Sequence, residues 1–218
     1  MRRLMKLMAI TAMTAITASQ VVACRDNSQY KTFATDIANT EKNQSAFFGF
    51  LGSADNDESI ALYNTFDFLN QTTNKNSWNN WTKEYQTEIT AAGITNITLN
   101  SYQGAPHNPT PSDPIDAFWT DKNISWQKDI FNWVYNRAKN PDSNFHTPSS
   151  GTSSVVEIKP KKDSNDNDMF ETLPIVFIIK NGKLITAGQN WLGTSNTATN
   201  LITAVEDFVL DNLIKYTT

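Results

Sequence analysis

Sulfur, glycine and positive charge are all scarce in this chain, and each scarcity closes off a class of function. Of 218 residues only Cys24 is a cysteine. One thiol cannot form an internal disulfide or a multi-cysteine zinc site. Nor can it run dithiol exchange, which needs one sulfur to attack and another to leave. Glycine occurs 8 times, with no GxGxxG or GxxxxGK[ST] run, so phosphate cradles built on those loops are excluded. Lys and Arg number 18 against 22 Asp and Glu, and the formal net charge is -4. A protein that tracks a phosphate backbone needs a basic face, so no nucleic-acid partner is expected. The two histidines, His107 and His146, fall in Pro-, Ser- and Asn-rich stretches with no HExxH and no GxSxG elbow. Both are expected at the surface, and no cofactor or catalytic metal is expected.

What is plentiful is apolar and amide-bearing. Hydrophobic residues make up 39% and aromatics 11%, enough for a sizeable core in one domain. Asparagine occurs 25 times, which enlarges the polar surface without adding charge. The acidic run Asp163, Asn165, Asp166, Asn167, Asp168 has a superficial calcium-loop look. An EF-hand starting at Asp163 would need Gly where Asp168 stands and Glu where Pro174 stands, so a solvated loop is expected there.

The chain opens with Arg2, Arg3 and Lys6, followed by 17 mostly apolar residues from Leu7 to Ala23 and then Cys24. A basic start, a short apolar stretch and a small residue at the cut site form the layout of an export signal, and Thr, Ser and Gln make the stretch a poor permanent span. The ending Val21-Val22-Ala23-Cys24 resembles the lipobox of bacterial lipoproteins. That resemblance implies diacylglyceryl transfer to the Cys24 thiol, later acylation by palmitate, and cleavage before Cys24. It also implies a protein held by lipid on the outer face of the cell membrane. Removing residues 1–23 would leave 195 residues with 15 Lys and Arg against 22 Asp and Glu, a side-chain charge of -7.

The expected organisation is a signal peptide over 1–23, a lipidated polar tether over 24–44 with at most a helical turn near Phe33, and one folded domain over 45–218. The run Phe47-Phe48-Gly49-Phe50-Leu51 reads as a strand buried on both faces. A polar loop with Asp55 and Glu58 at capping-box spacing opens a helix carrying Ile60, Tyr63, Phe66 and Leu69. Trp78, Trp81, Tyr85, Ile89 and Ala92 share one face of a second helix that ends at Gly93. Residues 94–99 alternate like a strand. Residues 103–114 hold four prolines and are expected to be irregular. Two helical pieces follow, the second carrying Trp126, Ile130, Trp133, Val134 and Arg137 and halting before Pro141. Residues 141–170 form a second polar excursion with a short strand at 155–158. Asn181-Gly182 between two β-branched runs predicts a hairpin. A last helix carries Leu201, Val205, Phe208, Val209 and Leu213.

This element order, strand–helix–strand–helix–hairpin–helix, resembles the thioredoxin fold with two long loop excursions. Pro174, followed across residues 175–179 by Lys180-Asn181-Gly182, is similar to the proline-headed hairpin of that family. The resemblance implies an α/β domain with a central sheet flanked by helices. It also implies that Pro174 takes the place of the family's cis-proline, which presents backbone to an extended peptide. The family's CxxC position falls on Asn56-Asp57-Glu58-Ser59, so both sulfurs are missing and no thiol–disulfide activity is expected.

The leading expectation is therefore a non-catalytic, membrane-anchored binding module for a peptide or protein partner. Its groove would be lined by Asn56, Asp57, Glu58, Ser59 and Pro174, with Trp191 as a semi-exposed contact. The alternative is a surface adhesin or antigen that uses its Pro- and Asn-rich loops on an inert scaffold.

Overall fold

The computed structural model describes residues 28–53, 57–71, 77–104, 125–148, 161–162, 168–169, 174–189 and 198–217. The lipobox, the proline-rich excursion after Gly104, the first of the two helical pieces and the strand anticipated at 155–158 all lie outside these residues.

The described chain runs α1 (Ser28–Asn43), β1 (Ala46–Ser53), α2 (Asp57–Asn70), α3 (Trp78–Glu84), α4 (Gln86–Ala91), β2 (Ile97–Gly104) and α5 (Ser125–Lys139). A two-residue ladder follows, β3 (Lys161–Lys162) with β4 (Asp168–Met169). Then come β5 (Ile175–Lys180), β6 (Lys183–Gln189) and α6 (Ala198–Val209). The main sheet has four strands in the order β2-β1-β5-β6. β1 and β2 are parallel, joined by the crossover through α2, α3 and α4, whereas β5 pairs antiparallel with both β1 and β6. The protein is thus a mixed α/β fold, a four-stranded sheet covered by helices on both faces.

The alternation of β1 decides the layering. Phe48 and Phe50 point into one core with Leu62, Phe66, Trp78, Trp81, Val205, Phe208 and Val209. Phe47 and Leu51 point into the opposite core with Phe33, Tyr102, Ile130, Val134 and Phe177. A strand clothed on both sides must be apolar at every position, which is why β1 reads as an unbroken hydrophobic run. β5 behaves likewise: Ile175 through Ile179 are all buried. Val176 and Ile178 lie in the core under α6, and Phe177 and Ile179 in the core under α1 and α5.

The hairpin forms where expected. Asn181 has φ 50° and Gly182 φ 77°, the paired positive values of a tight turn whose twist matches the flanking strands. The turn also docks onto the end of α1: the Gly182 amide donates to the Thr40 hydroxyl at 2.9 Å, and the Asn181 amide to the Ser45 carbonyl at 3.0 Å. A Cβ on Gly182 would lie 3.3 Å from Cβ of Glu41.

Four local expectations change. The segment expected as a tether is mostly the 16-residue helix α1. Its apolar residues are few, but Tyr30, Phe33 and Ile37 follow a helical spacing, and all three join the core. In α2 the buried side is Ser59, Leu62, Thr65, Phe66 and Leu69, while Ile60 and Tyr63 are 37% and 44% exposed. Steps of three residues drift around a helix of 3.6 residues per turn, so a strict three-step series cannot share one face. The tryptophan helix is two pieces, broken at Tyr85 (φ -96°, ψ 19°), although Trp78, Trp81, Ile89 and Ala92 are buried as anticipated. The second strand begins three residues later than expected and extends to Gly104.

Candidate functional site

Four of the six predicted groove residues, Asp57, Glu58, Ser59 and Pro174, come near the carboxyl end of β1. Gly52 is the pivot. A Cβ there would come within 2.8 Å of both Cβ and Oγ of Ser59, so only glycine lets the first turn of α2 approach so closely. On its other side the Gln127 carboxamide, in the first turns of α5, donates to the Gly52 carbonyl at 2.8 Å. Gln127 is fully buried, and its Oε1 finds no hydrogen-bond donor among the described residues. Pro174 leads into Ile175, which pairs with Leu51, so the start of β5 arrives at the same end of the sheet.

The predicted residues take unlike positions there. Asp57 is exposed and Glu58 half-buried at the start of α2, with burial pushing the Glu58 carboxyl above its ordinary value. Two carboxylates in a first helical turn complement the positive end of the helix dipole. Ser59 and Pro174 are buried and form the floor of this end rather than presenting side chains. Asn56 and Trp191 lie outside the described residues. Ile60, at the end of that first turn, and Tyr63 are exposed on α2, as is Phe68 (39%) on another side further along.

Sequence reasoning missed two other features. The first is His146, which is buried rather than at the surface, with its ring stacked on Tyr216 at 3.5 Å between centroids. Its backbone is tied to β6 on both sides: its amide donates to the Ile185 carbonyl at 2.9 Å, and its carbonyl accepts from the Thr186 hydroxyl at 2.9 Å. Burial pushes the imidazole pKa below its ordinary value, opposed by the Asn212 side chain and the Asn144 backbone. A lone histidine in a polar loop carries no sequence signal for this, because the strand that receives it is distant in the chain.

The second is an open polar notch of about 440 Å³ between the last two turns of α1 and the β2 edge. Its walls include Asp36 and Asn39 from α1 and Asn96, Thr98 and Asn100 from the β2 side, with Phe47 at the base. Asp36 is fixed by the Tyr102 hydroxyl, which donates to its Oδ2 at 2.5 Å. Tyr102 is itself held edge-on by Phe33 at 5.2 Å. Burial, with the Asp36 carboxylate as hydrogen-bond partner, drives the Tyr102 phenol pKa upward, so it stays a proton donor. No single stretch of sequence announces this notch, since helix and strand contribute to it from some 60 residues apart.

The outer edge of β2 is closed to strand addition along part of its length. The Trp78 indole donates to the Ile97 carbonyl at 2.7 Å and the Asn70 amide reaches the Leu99 carbonyl at 3.5 Å, so side chains of the crossover cap carbonyls that another strand would use. Among the described residues no group of three or more His, Cys, Asp or Glu side chains is placed to hold a metal ion. None of the described helices is long and apolar enough to cross a membrane. No family model, no curated protein and no solved structure matches this chain.

Proposed function

We propose that this protein is a lipid-anchored binding module on the outer face of the cell membrane. Its thioredoxin-like domain would engage a peptide or protein partner at the carboxyl end of β1 without redox chemistry. The observation that carries the reading is the convergence at Gly52, where the first turn of α2 and the Pro174-headed start of β5 reach the same end of the central strand. The thioredoxin-like assignment draws support from the parallel β1-crossover-β2 unit followed by an antiparallel hairpin and a closing helix. Lipid anchoring rests on the Val21-Val22-Ala23-Cys24 sequence. Two acyl chains anchor a protein stably where one is marginal.

The partner surface in this reading starts at Gly52 and continues over the exposed side of the first two turns of α2, where Asp57 supplies negative charge and Ile60 and Tyr63 supply apolar contact. An extended peptide with aromatic or aliphatic anchors and flanking lysine or arginine suits that surface. The test is selection of peptides from a display library on the domain, followed by binding to Ile60→Glu and Tyr63→Glu variants. Both positions are exposed, so the variants should fold normally and lose the selected peptides. Failure to enrich any peptide, or undiminished binding by both variants, would overturn the groove. Labelled palmitate should enter the wild-type protein but not Cys24→Ser, and an unlabelled wild type with residues 1–23 intact would remove the anchor.

A further inference from the structure

The polar notch on the other face of the sheet, remote from Gly52, has the chemistry of a ligand site, and we infer that it binds a neutral carbohydrate of one or two sugar rings. Its volume of about 440 Å³ lies within the range of small-molecule sites, roughly 300–1,000 Å³. Among the described residues no Lys, Arg or His lines it, which leaves nothing among them to neutralise an anionic ligand. Asp36 is the only charged group among its described lining residues, and one of its oxygens already accepts from Tyr102.

The rest of the lining decides the ligand class. Asn39, Asn96 and Asn100 each carry a carbonyl acceptor and an amide donor on adjacent positions of one planar group, and Thr98 adds a hydroxyl that does both. Neighbouring hydroxyls of a pyranose present the same alternation of donor and acceptor. An ammonium ligand has donors alone and would leave the asparagine amide hydrogens unmatched. Preorganisation is built in from behind. Asp36 is tied to Tyr102 at 2.5 Å, and Asn100 Nδ2 reaches the same phenol oxygen at 3.4 Å. The acceptor wall therefore stands in place before a ligand arrives. An open notch without a flanking aromatic platform implies weak, fast exchange, with millimolar dissociation constants.

The experiment is an amide-resolved NMR titration of the full folded domain with methyl glycosides of glucose, galactose and mannose and with N-acetylglucosamine. Each is taken to about 50 mM, which saturates a site with a Kd near 1 mM. Saturable shifts should cluster at residues 36–43 and 95–100. Asn39 and Asn96 are both exposed, so an Asn39→Ala, Asn96→Ala double variant should keep its thermal unfolding curve. It should bind at least roughly tenfold more weakly, the effect of losing about 1.4 kcal/mol of hydrogen bonding. No saturable shift at these amides with any of the four sugars overturns the assignment, as does unaltered binding by the double variant. Spermidine run in parallel is the cationic control, and saturation of these amides by spermidine in place of sugar would also overturn it. Peptide selection at Gly52 can succeed or fail independently of each result.

Discussion

Phe33 is the test of whether α1 belongs to the fold or merely lifts it off a membrane. It is fully buried and meets Tyr102, Trp133 and Phe177 edge-on at centroid separations of 5.2, 5.2 and 5.8 Å. Truncating it to alanine removes a whole ring from a packed layer and leaves a cavity whose lining comes from α5, β2 and β5. Substitutions of this kind cost about 3–5 kcal/mol. The three edge-on ring contacts favour the upper part of that span, since such pairs contribute roughly 0.5–1.5 kcal/mol each beyond area burial. With a urea dependence of about 2 kcal/mol per molar, the midpoint should fall by roughly 1.5–2.5 M. The assay is urea unfolding of a soluble form beginning at residue 25, followed by tryptophan fluorescence, with Thr35→Ala as a control on the exposed side of the same helix. Phe33→Leu should recover more than half of the loss. A Phe33→Ala midpoint within about 0.3 M of wild type would refute the reasoning and return residues 25–44 to the role of a spacer.

Other outcomes follow from single contacts. Gly182→Val forces a β-branched residue to φ near 77° and crowds Glu41, and should cost about 1–3 kcal/mol in the same assay. Lys180 is half-buried and donates its ammonium to the Ala92 carbonyl at the end of α4 at 2.6 Å, so Lys180→Met should lose about 1–2 kcal/mol. His146 has a depressed pKa, so the unfolded chain takes up its proton first as pH falls below about 6.5. That contribution to stability is complete above the unfolded value and is lost progressively on acidification, so wild type should lose more stability between pH 7.5 and 5.5 than His146→Phe does. Equal losses in the two proteins would show that the buried imidazole is not the group responsible. An insulin-reduction assay should show no thiol-dependent turnover, because Cys24 is the only sulfhydryl in the chain.

The structure divides along a physical line between what is local in the chain and what is not. Asn181-Gly182 determined its turn by itself, because positive φ at two successive positions is a property of those residues. The unbroken apolar runs of β1 and β5 likewise announced burial on both faces. The stripe Leu201, Val205, Phe208 and Val209 announced the inner side of α6, and Leu213 continues it into the π-helical turn that follows, all five being buried. At the site, the acidic start of α2 and Pro174 could be named from sequence, since capping residues and proline have local meaning. Their meeting at Gly52 could not be read. It depends on β5 pairing with β1 in a register set more than a hundred residues apart.

Tertiary structure alone decided the rest. A helix with only Tyr30, Phe33 and Ile37 to bury looks like a spacer until a layer is present to receive them. A continuously apolar strand does not say which side chain faces which core, so the assignment of Val176 and Ile178 to one layer and Phe177 and Ile179 to the other came from the pairing. His146 gave no sign of burial because its cover, Tyr216 and the backbone of β6, comes from distant segments. The carbohydrate notch is the extreme case. Asparagine has no preferred burial and no fixed partner, so its abundance reads as surface until a helix end and a strand edge bring Asp36, Asn39, Asn96 and Asn100 together around one cavity.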